Sequence, residues 1–294
     1  MNAVPHLVSV PADPFLASEG ALEVHVVPVW RDNFTWLIRC TQTGATAAID
    51  GAEAAPVLAY VEAQGLDLTC LLTTHTHPDH VGLHHDLQKL GRLASLRVVG
   101  LRGRTDIPGL REGVDEGDRV RLGMVEGEVW RTEGHLDGHL SYRFGDLLFC
   151  GDTLFAGGCG YLFDGPPAKM HASLQRFATL PAATKVCCAH EYTEDNLRFA
   201  WSVEPDNLAL AQRIREVWAL RAEGRASVPS TIGLELATNP FLRVDSTSLR
   251  ERVRAALPEA ELDTPEQVFT ATRRLKDLKR YKTLGDEALP LASP

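Results

Sequence analysis

The sequence predicts an α+β fold in which a strand-rich segment comes first and an all-helical segment follows. Short apolar runs separated by glycine-containing turns dominate the first two-thirds of the chain and are typical of buried strands. Beyond residue 192 the apolar residues recur at helical spacing, as at Leu210, Ile214 and Val217. We therefore predict an N-terminal arm over residues 1–20, a mixed domain over 21–191 and a helical domain over 192–294.

Each predicted element follows from its local pattern. Residues 1–20 are rich in Pro, Ala and Ser, so we expect a loosely held arm and assign it no function. A capping box, Thr264 with Gln267, and Pro265 at the first helical position predict a helix through residue 279. Strands are expected at 22–29, 34–41, 45–49, 69–73, 96–100, 128–131, 140–144, 147–150 and 185–189, and helices at 54–64, 81–90 and 171–179.

Composition limits the classes of function. The chain has 294 residues, 44% of them hydrophobic, and a formal net charge of -9, so it lacks the basic surface that nucleic acids or anionic membranes attract. The sequence contains neither a membrane-length apolar run nor a secretory leader pattern, which favours a cytoplasmic protein. The six cysteines lie mostly in apolar runs without paired spacing, so we expect reduced, buried thiols and no thiol nucleophile.

A dense group of ligand-type residues follows the predicted strand at 69–73. His75 and His77 are two residues apart, so both imidazoles point the same way from an extended segment. Pro78 is expected to open a turn that aims Asp79 and His80 at a neighbouring point. Imidazole and carboxylate without thiolate suit zinc, iron or manganese in a reactive site, and four candidates within six residues indicate two adjacent ions.

Three further candidates follow predicted strands downstream. His135 lies in a glycine-flanked loop, Asp152 follows an apolar strand, and His190 ends the strand at 185–189. A buried carboxylate such as Asp152 is costly unless it is paired or bound to metal, and it can bridge two cations. His139 lies in the same loop as His135, and we place it beside the metal ligands rather than among them. The chemistry-bearing set is thus five histidines and two aspartates: His75, His77, Asp79, His80, His135, Asp152 and His190.

On these motifs the chain resembles glyoxalase II, the hydroxyacylglutathione hydrolases of the metallo-β-lactamase superfamily. The superfamily part of the resemblance rests on THTHPDH at 74–80, GH at 134–135 and 138–139, GDTLF at 151–155 with GCG at 158–160, and HEYT at 190–193. The helical half is more specific, because VPSTIG at 228–233, NPFLR at 239–243 and RRLKD at 273–277 resemble segments of glyoxalase II itself.

The resemblance implies an αβ/βα sandwich followed by a smaller all-α domain, with a dimetal site at the sandwich edge and substrate between the domains. It implies His75, His77 and His135 on one ion, Asp79, His80 and His190 on the other, and Asp152 bridging. Zinc is the first choice, with iron or manganese as alternatives. The implied reaction is hydrolysis of S-D-lactoylglutathione by a metal-activated water, which Asp79 helps to orient, and no Ser or Cys nucleophile is required.

The substrate pocket departs from the family pattern. Tyr192, Arg273 and Lys276 match residues that hold the thiol half, and in an acidic protein Arg273 and Lys276 would offer cations to it, with the Arg273 interaction expected to be partly exposed. Tyr161 and Phe163, however, stand where the family commonly has a cation and a phenol.

Three alternative functions therefore remain open. One alternative is an iron-dependent persulfide dioxygenase with a single metal. Another is a hydrolase of other thioesters or lactones, and a third is a non-enzymatic metal-binding protein. The expected partner is a small-molecule thioester, with no nucleic acid and no membrane, and the chain is expected to be a monomer or a weak homo-oligomer.

Overall fold

The computed structural model describes residues 7–292, and most of its strands form two sheets. The seven strands of the first sheet lie in chain order, antiparallel from the first to the fourth and parallel from there on. This sheet comprises β1 (Phe15–Ala17), β2 (Leu22–Val29), β3 (Asn33–Cys40), β4 (Ala45–Ile49), β5 (Asp67–Leu72), β6 (Arg97–Leu101) and β7 (Glu112–Val114).

The second sheet has six strands in the order β15, β14, β11, β10, β9, β8. Its members are β8 (Arg119–Leu122), β9 (Val125–Arg131), β10 (Leu140–Phe144), β11 (Leu147–Gly151), β14 (Lys185–Cys188) and β15 (Ser230–Thr231). A separate hairpin consists of β12 (Leu154–Phe155) and β13 (Gly158–Cys159). Trp36 joins the two sheets, since its ring packs on Phe149 and its indole N–H donates to the Cys188 carbonyl at 2.9 Å.

Helices cover the outer faces of both sheets. On the first sheet, α1 (Ala54–Ala63) and α2 (Pro78–Lys89) bury Val57 and Leu83 against Leu37 and Leu71. On the second, α3 (Pro167–Ala178) stacks Phe177 on Trp130. The layers are therefore helix, sheet, sheet, helix, as the αβ/βα expectation requires.

The remaining helices form the predicted helical segment, which is not entirely helical because it also supplies the two-residue strand β15 to the second sheet. They are α4 (Thr193–Val203), α5 (Leu208–Ala222), α6 (Ile232–Thr238), α7 (Thr247–Ala256) and α8 (Pro265–Asp277), followed by short 3-10 turns at Arg280–Thr283 and Asp286–Ala288. Two further 3-10 turns, Ser18–Gly20 and Leu93–Ser95, lie among the elements of the first sheet. The capping box of Thr264 and Gln267 is confirmed. Helix α8 ends two residues earlier than predicted, because Lys279 adopts a left-handed conformation that ends the turn.

Two sequence expectations were wrong locally. Part of the supposed loose arm is ordered, because residues 15–17 pair with β2 and the amides of Ser9 and Val10 donate to the Gly224 carbonyl; residues 1–6 lie outside the described range. Pro78 opens helix α2 rather than a free turn, so Asp79 and His80 belong to its first helical turn. The six cysteines are free and buried, as predicted. Within residues 7–292, no helix has the length and apolarity needed to cross a bilayer.

Candidate metal centre

Strand ends from both sheets bring the seven candidate ligands to one place. The segment after β5 carries His75 and His77, and the first turn of α2 adds Asp79 and His80. From the second sheet, His135 follows β9, Asp152 follows β11 and His190 follows β14. Each half of the sandwich therefore contributes ligands to a shared edge. Strand pairing makes the backbone that carries these ligands rigid.

The first ligand group consists of three imidazoles. The Nδ1 atom of His77 lies 3.0 Å from the Nε2 atom of His75 and 3.0 Å from that of His135. The second group is Asp79, His80 and His190, in which an Asp79 carboxylate oxygen lies 3.7 Å from His80 Nε2 and 3.4 Å from His190 Nε2. Within each group one ligand atom per residue lies within 4.8 Å of the others, which suits a single ion.

Asp152 lies between the two groups. Its Oδ1 atom is 3.5 Å from His80 Nε2 and 3.4 Å from His190 Nε2, while its Oδ2 atom is 3.4 Å from His135 Nε2. Both Asp152 Oδ1 and His80 Nε2 are buried and without a hydrogen-bond partner. Such atoms are rare unless a ligand satisfies them, so the donor set fits a pair of divalent ions. Gly160 allows its backbone to approach Asp152 closely, since a Cβ there would overlap the Asp152 carbonyl oxygen.

Hydrogen bonds to the ring nitrogens that face away from the shared centre orient two of the imidazoles. His80 Nδ1 lies 2.9 Å from Asp50 Oδ2, and His190 Nδ1 lies 3.1 Å from Asp32 Oδ1. Asn33 donates to the Asp79 carboxylate at 2.9 Å. Sequence reasoning missed all three of these residues, although Asp50 had a usable signal: it directly follows the apolar strand β4, which lies beside β5. Asp32 and Asn33 resembled an ordinary hairpin turn.

Asp50 could itself be counted as a ligand, because it lies close to His75 and His80. Its carboxylate is already occupied: one oxygen accepts the Thr74 amide at 2.8 Å, and the other accepts the Thr74 hydroxyl at 2.7 Å and faces His80 Nδ1. That nitrogen is on the opposite side of the ring from the Nε2 atom that faces Asp152. Asp50 therefore orients His80 instead of reaching the shared centre.

The proposed histidine ligands fall into two classes, according to whether their surroundings lower or raise the pKa of the ring. Burial lowers the pKa of His75, His77 and His135, so these rings are neutral and available as ligands near pH 7. Burial acts in the same direction on His80, but the carboxylates of Asp152 and Asp50 outweigh it and raise its pKa to about 10. The pocket around His80 thus attracts positive charge, and a metal ion there would displace a proton.

The acidic members remain ionised. Burial opposes the charge on Asp152, yet His190 and His80 hold its pKa well below the usual value. Asp79 behaves likewise, since the hydrogen bond from His190 overcomes burial and lowers its pKa. Two carboxylates are therefore available as anionic ligands near neutral pH.

His139 lies beside the ligands, in the position expected for it. Its Nε2 atom accepts the backbone N–H of Asp152 at 3.2 Å, and its Nδ1 atom lies 3.2 Å from the hydroxyls of Thr132 and Thr153. Both ring nitrogens are therefore used within the fold. The described contacts place His139 in support of Asp152, and its role in metal binding stays a prediction.

The candidate substrate residues differ in exposure. Tyr161 and Phe163 are 53% and 59% exposed, and Tyr192 stacks on the His190 ring with centroids 4.6 Å apart. The Arg273 interaction was expected to be partly exposed, but Arg273 and Lys276 are only 6% and 8% exposed because α8 packs them against β13 and α4. The expectation of partial exposure was wrong.

Comparisons with known proteins agree with this arrangement. A model of the metallo-β-lactamase superfamily matches residues 41–190, and a model of the hydroxyacylglutathione hydrolase C-terminus matches residues 191–278. Hydroxyacylglutathione hydrolase from Methylococcus capsulatus is 46% identical over 263 residues, which cover 88% of this chain and 99% of that protein.

Two solved structures share the fold. ETHE1 from Myxococcus xanthus superimposes with a TM-score of 0.54 at 24% identity, covering 90% of this chain and 98% of that one. TTHA1623 in a di-iron-bound form gives a TM-score of 0.50 at 25% identity, covering 74% and 98%. With its two matching segments and its histidine and aspartate cluster, this chain belongs to the hydroxyacylglutathione hydrolase family of the metallo-β-lactamase superfamily.

Proposed function

We propose that the protein is a dimetal thioester hydrolase that converts S-D-lactoylglutathione and water to D-lactate and glutathione. The observation that carries this proposal is the position of Asp152, whose two carboxylate oxygens face the two ligand groups. The name of the relative from Methylococcus capsulatus supports the choice of substrate. In the reaction water adds to the thioester carbonyl, the C–S bond breaks and the thiol leaves with a proton.

The bound ions and the protein residues have separate tasks. When bound, two adjacent divalent ions supply an activated water and positive charge for the carbonyl oxygen. The proposed ligands are His75, His77 and His135 for one ion and Asp79, His80 and His190 for the other, with Asp152 shared. Asp79 keeps a part-exposed, ionised carboxylate at the shared centre, and we assign it the additional role of accepting a hydrogen bond from the attacking water.

Zinc is the proposed ion, since it is commonly held by imidazole and carboxylate ligands such as those present here. Iron is the alternative, and the di-iron form of TTHA1623 gives it specific support. A single-iron persulfide dioxygenase needs only one ligand group, whereas the second group, Asp79, His80 and His190, is present and buried or half-buried here. The complete second group therefore favours the hydrolase.

The test is steady-state turnover of S-D-lactoylglutathione by protein whose metal content has been measured in the same sample. We expect thiol release in step with loss of the thioester, with no consumption of oxygen. Lactones and glutathione persulfide serve as competing substrates. Oxygen-dependent oxidation of the persulfide without thioester cleavage would contradict the proposal.

A further inference from the structure

We propose that a cavity in the helical segment, separate from the metal centre, binds an unbranched alkyl carboxylate of medium chain length. The cavity lies between α4, α7, α8 and the 3-10 turn Arg280–Thr283, and its volume is about 410 Å³, which is within the range of small-molecule sites. His190 lies just before α4, whereas Ser202, which lines the cavity, is in the last turn of that helix, roughly 15 Å further along. The inference therefore goes beyond thioester hydrolysis and does not depend on it.

The interior of the cavity is apolar. Phe199 and Val203 of α4 form a buried wall. The lining includes two hydroxyl groups, and both are already used, since Tyr281 donates to the Asp195 carboxylate at 2.7 Å and Ser202 donates to the Phe199 carbonyl at 2.7 Å. An alkyl chain that entered this interior would leave water without disturbing a hydrogen bond of the protein.

Aromatic packing fixes the wall, and small side chains leave the space empty. The Phe199 ring meets the Tyr281 ring edge to face at 5.3 Å and stacks on the Phe241 ring at 5.8 Å. On the other side of the cavity, Ala255 and Ala256 of α7 contribute only methyl groups. The cavity is therefore present before any ligand binds, as is usual for small-molecule sites.

Two arginines give the cavity a positive charge. Arg252 of α7 and Arg280 of the 3-10 turn both line it and are exposed. Within residues 7–292, neither guanidinium has a hydrogen bond or an ion pair with another residue, whereas the nearby Arg198 pairs with Asp286. No carboxylate of the described chain lines the cavity. In a protein of net charge -9, two unpaired cations beside one apolar cavity indicate an anionic ligand.

The ligand that fits combines an apolar body with a single anionic end. The alkyl chain would occupy the interior, and its carboxylate would accept charge-assisted hydrogen bonds from the guanidinium groups at the rim. A water molecule takes about 30 Å³ in the liquid and a methylene group is of similar size, so about ten carbons and a carboxylate match the volume. A sugar phosphate is a poorer match, because its hydroxyl groups would find no free partner inside.

Calorimetric titration of metal-loaded protein with sodium decanoate tests the charged rim, and 1-decanol is the uncharged probe. We expect one decanoate to bind per chain. Arg252→Gln and Arg280→Gln should each weaken decanoate binding by about tenfold but decanol binding by less than about threefold, because only the carboxylate loses a charge-assisted hydrogen bond. Arg254→Gln removes an exposed arginine of α7 that does not line the cavity, so this matched control should change neither.

A second variant tests the interior. Ala256 is exposed at the end of α7, so Ala256→Phe directs a ring into the cavity without replacing a buried side chain. We expect it to weaken binding of both probes by at least about tenfold, because the ring occupies the space of the alkyl chain. Thermal unfolding of the same samples checks that the variant is folded.

Carboxylates also bind metal ions, so the decanoate titration is repeated after the metals have been removed with chelator. We expect the affinity to stay within about twofold of that of the loaded protein, because the cavity contains no proposed metal ligand. The inference is overturned if native protein binds no decanoate, if binding disappears with the metals, or if both arginine variants bind decanoate as tightly as native protein does.

Discussion

Four of the five proposed histidine ligands are oriented through the ring nitrogen that faces away from the shared centre. The partners of their Nδ1 atoms are the Thr74 hydroxyl, the Asp50 carboxylate, the Tyr161 carbonyl and the Asp32 carboxylate. Each partner fixes the ring and the tautomer that leaves Nε2 free for a metal ion. The orientation of these ligands therefore depends on groups that are not proposed metal ligands themselves.

His139 should support metal binding without being required for it. Because it accepts the Asp152 amide, His139→Ala leaves that buried N–H unpaired and loosens the carboxylate. We expect both ions to remain bound, with metal affinity or turnover reduced by about 10- to 100-fold. Metal content after dialysis against a graded chelator series measures this effect. Loss of one whole equivalent of metal would instead identify His139 as a ligand.

His84 should make the fold sensitive to acid. Burial, aided by the nearby His85, lowers the pKa of His84 to about 3, whereas an unfolded histidine titrates near 6.5. The unfolded chain then binds more protons below that higher value, so the stabilising contribution of the neutral ring is complete above pH 6.5 and is lost progressively as the pH falls towards 3.

Urea unfolding of chelator-treated protein at several pH values measures this loss. We expect His84→Gln, which removes the titrating ring, to lose a few kcal/mol less stability than the native protein between pH 6.5 and 4. Gln88→Ala, at an exposed position of the same helix that carries no titrating group, is the control and should follow the native protein. Identical pH dependence of His84→Gln and native protein would contradict the assignment.

At the scale of elements, a buried polar network joins the helical segment to the β12–β13 hairpin. Glu235 of α6 accepts hydrogen bonds from Arg213 of α5 at 2.5 Å, from the Gly157 amide at 2.8 Å and from Asn239 at 2.9 Å. Asn239 in turn donates to the Gly158 carbonyl at 2.9 Å. This hairpin ends at Cys159, directly before Gly160 at the metal centre, so α6 helps to set the position of the site.

Removing the carboxylate from this network should be costly. Glu235→Ala leaves the buried Arg213 guanidinium without its anion, and loss of one partner of a buried pair typically costs about 3 to 5 kcal/mol. We expect a corresponding fall in the free energy of unfolding, measured by urea titration. Glu223→Ala breaks the exposed pair with Arg225 and should cost less than about 1 kcal/mol. Similar losses in both variants would refute the structural role of Glu235.

At the scale of the whole molecule, the metal centre connects the two halves of the sandwich. Four proposed ligands follow β5 on the first sheet, and three follow strands of the second. Ions that bind only the folded protein raise its free energy of unfolding. At metal concentrations well above Kd, this gain grows with the logarithm of the ratio of metal concentration to Kd. Metal removal should consequently lower the unfolding temperature of the entire molecule.

Asp152→Ala tests the shared carboxylate on this scale. A bridging anion offsets the repulsion between adjacent cations, so the variant should hold fewer than the two equivalents expected of the native protein. Its unfolding temperature should also respond less to chelator. Metal analysis and thermal unfolding of the same samples provide the measurements, with Asp245→Ala, which removes an exposed carboxylate, as the control. One equivalent in both native protein and variant would rule out the bridged pair.

Local chemistry in the sequence was enough to predict much of this protein. Apolar runs predicted most strands of the two sheets, the capping box predicted the start of α8, and polar residues after apolar strands identified the candidate ligands. Six short strands were missed, namely β1, β7, β8, β12, β13 and β15, since segments of two to four residues carry too little periodicity of their own. The family resemblance was also readable from motifs, and the comparisons confirm it.

Tertiary structure alone decided which residues meet across the two sheets and which are exposed. Asp32 and Asn33 resemble any hairpin turn until pairing of β2 with β3 places them beside His190 and Asp79. Arg273 and Lys276 look like free cations in sequence, yet the packing of α8 buries them, whereas Tyr161 and Phe163 remain exposed. Charge and residue type are local properties that a sequence records. Exposure and partner choice depend on contacts between residues far apart in the chain, so they arise only when the fold is complete.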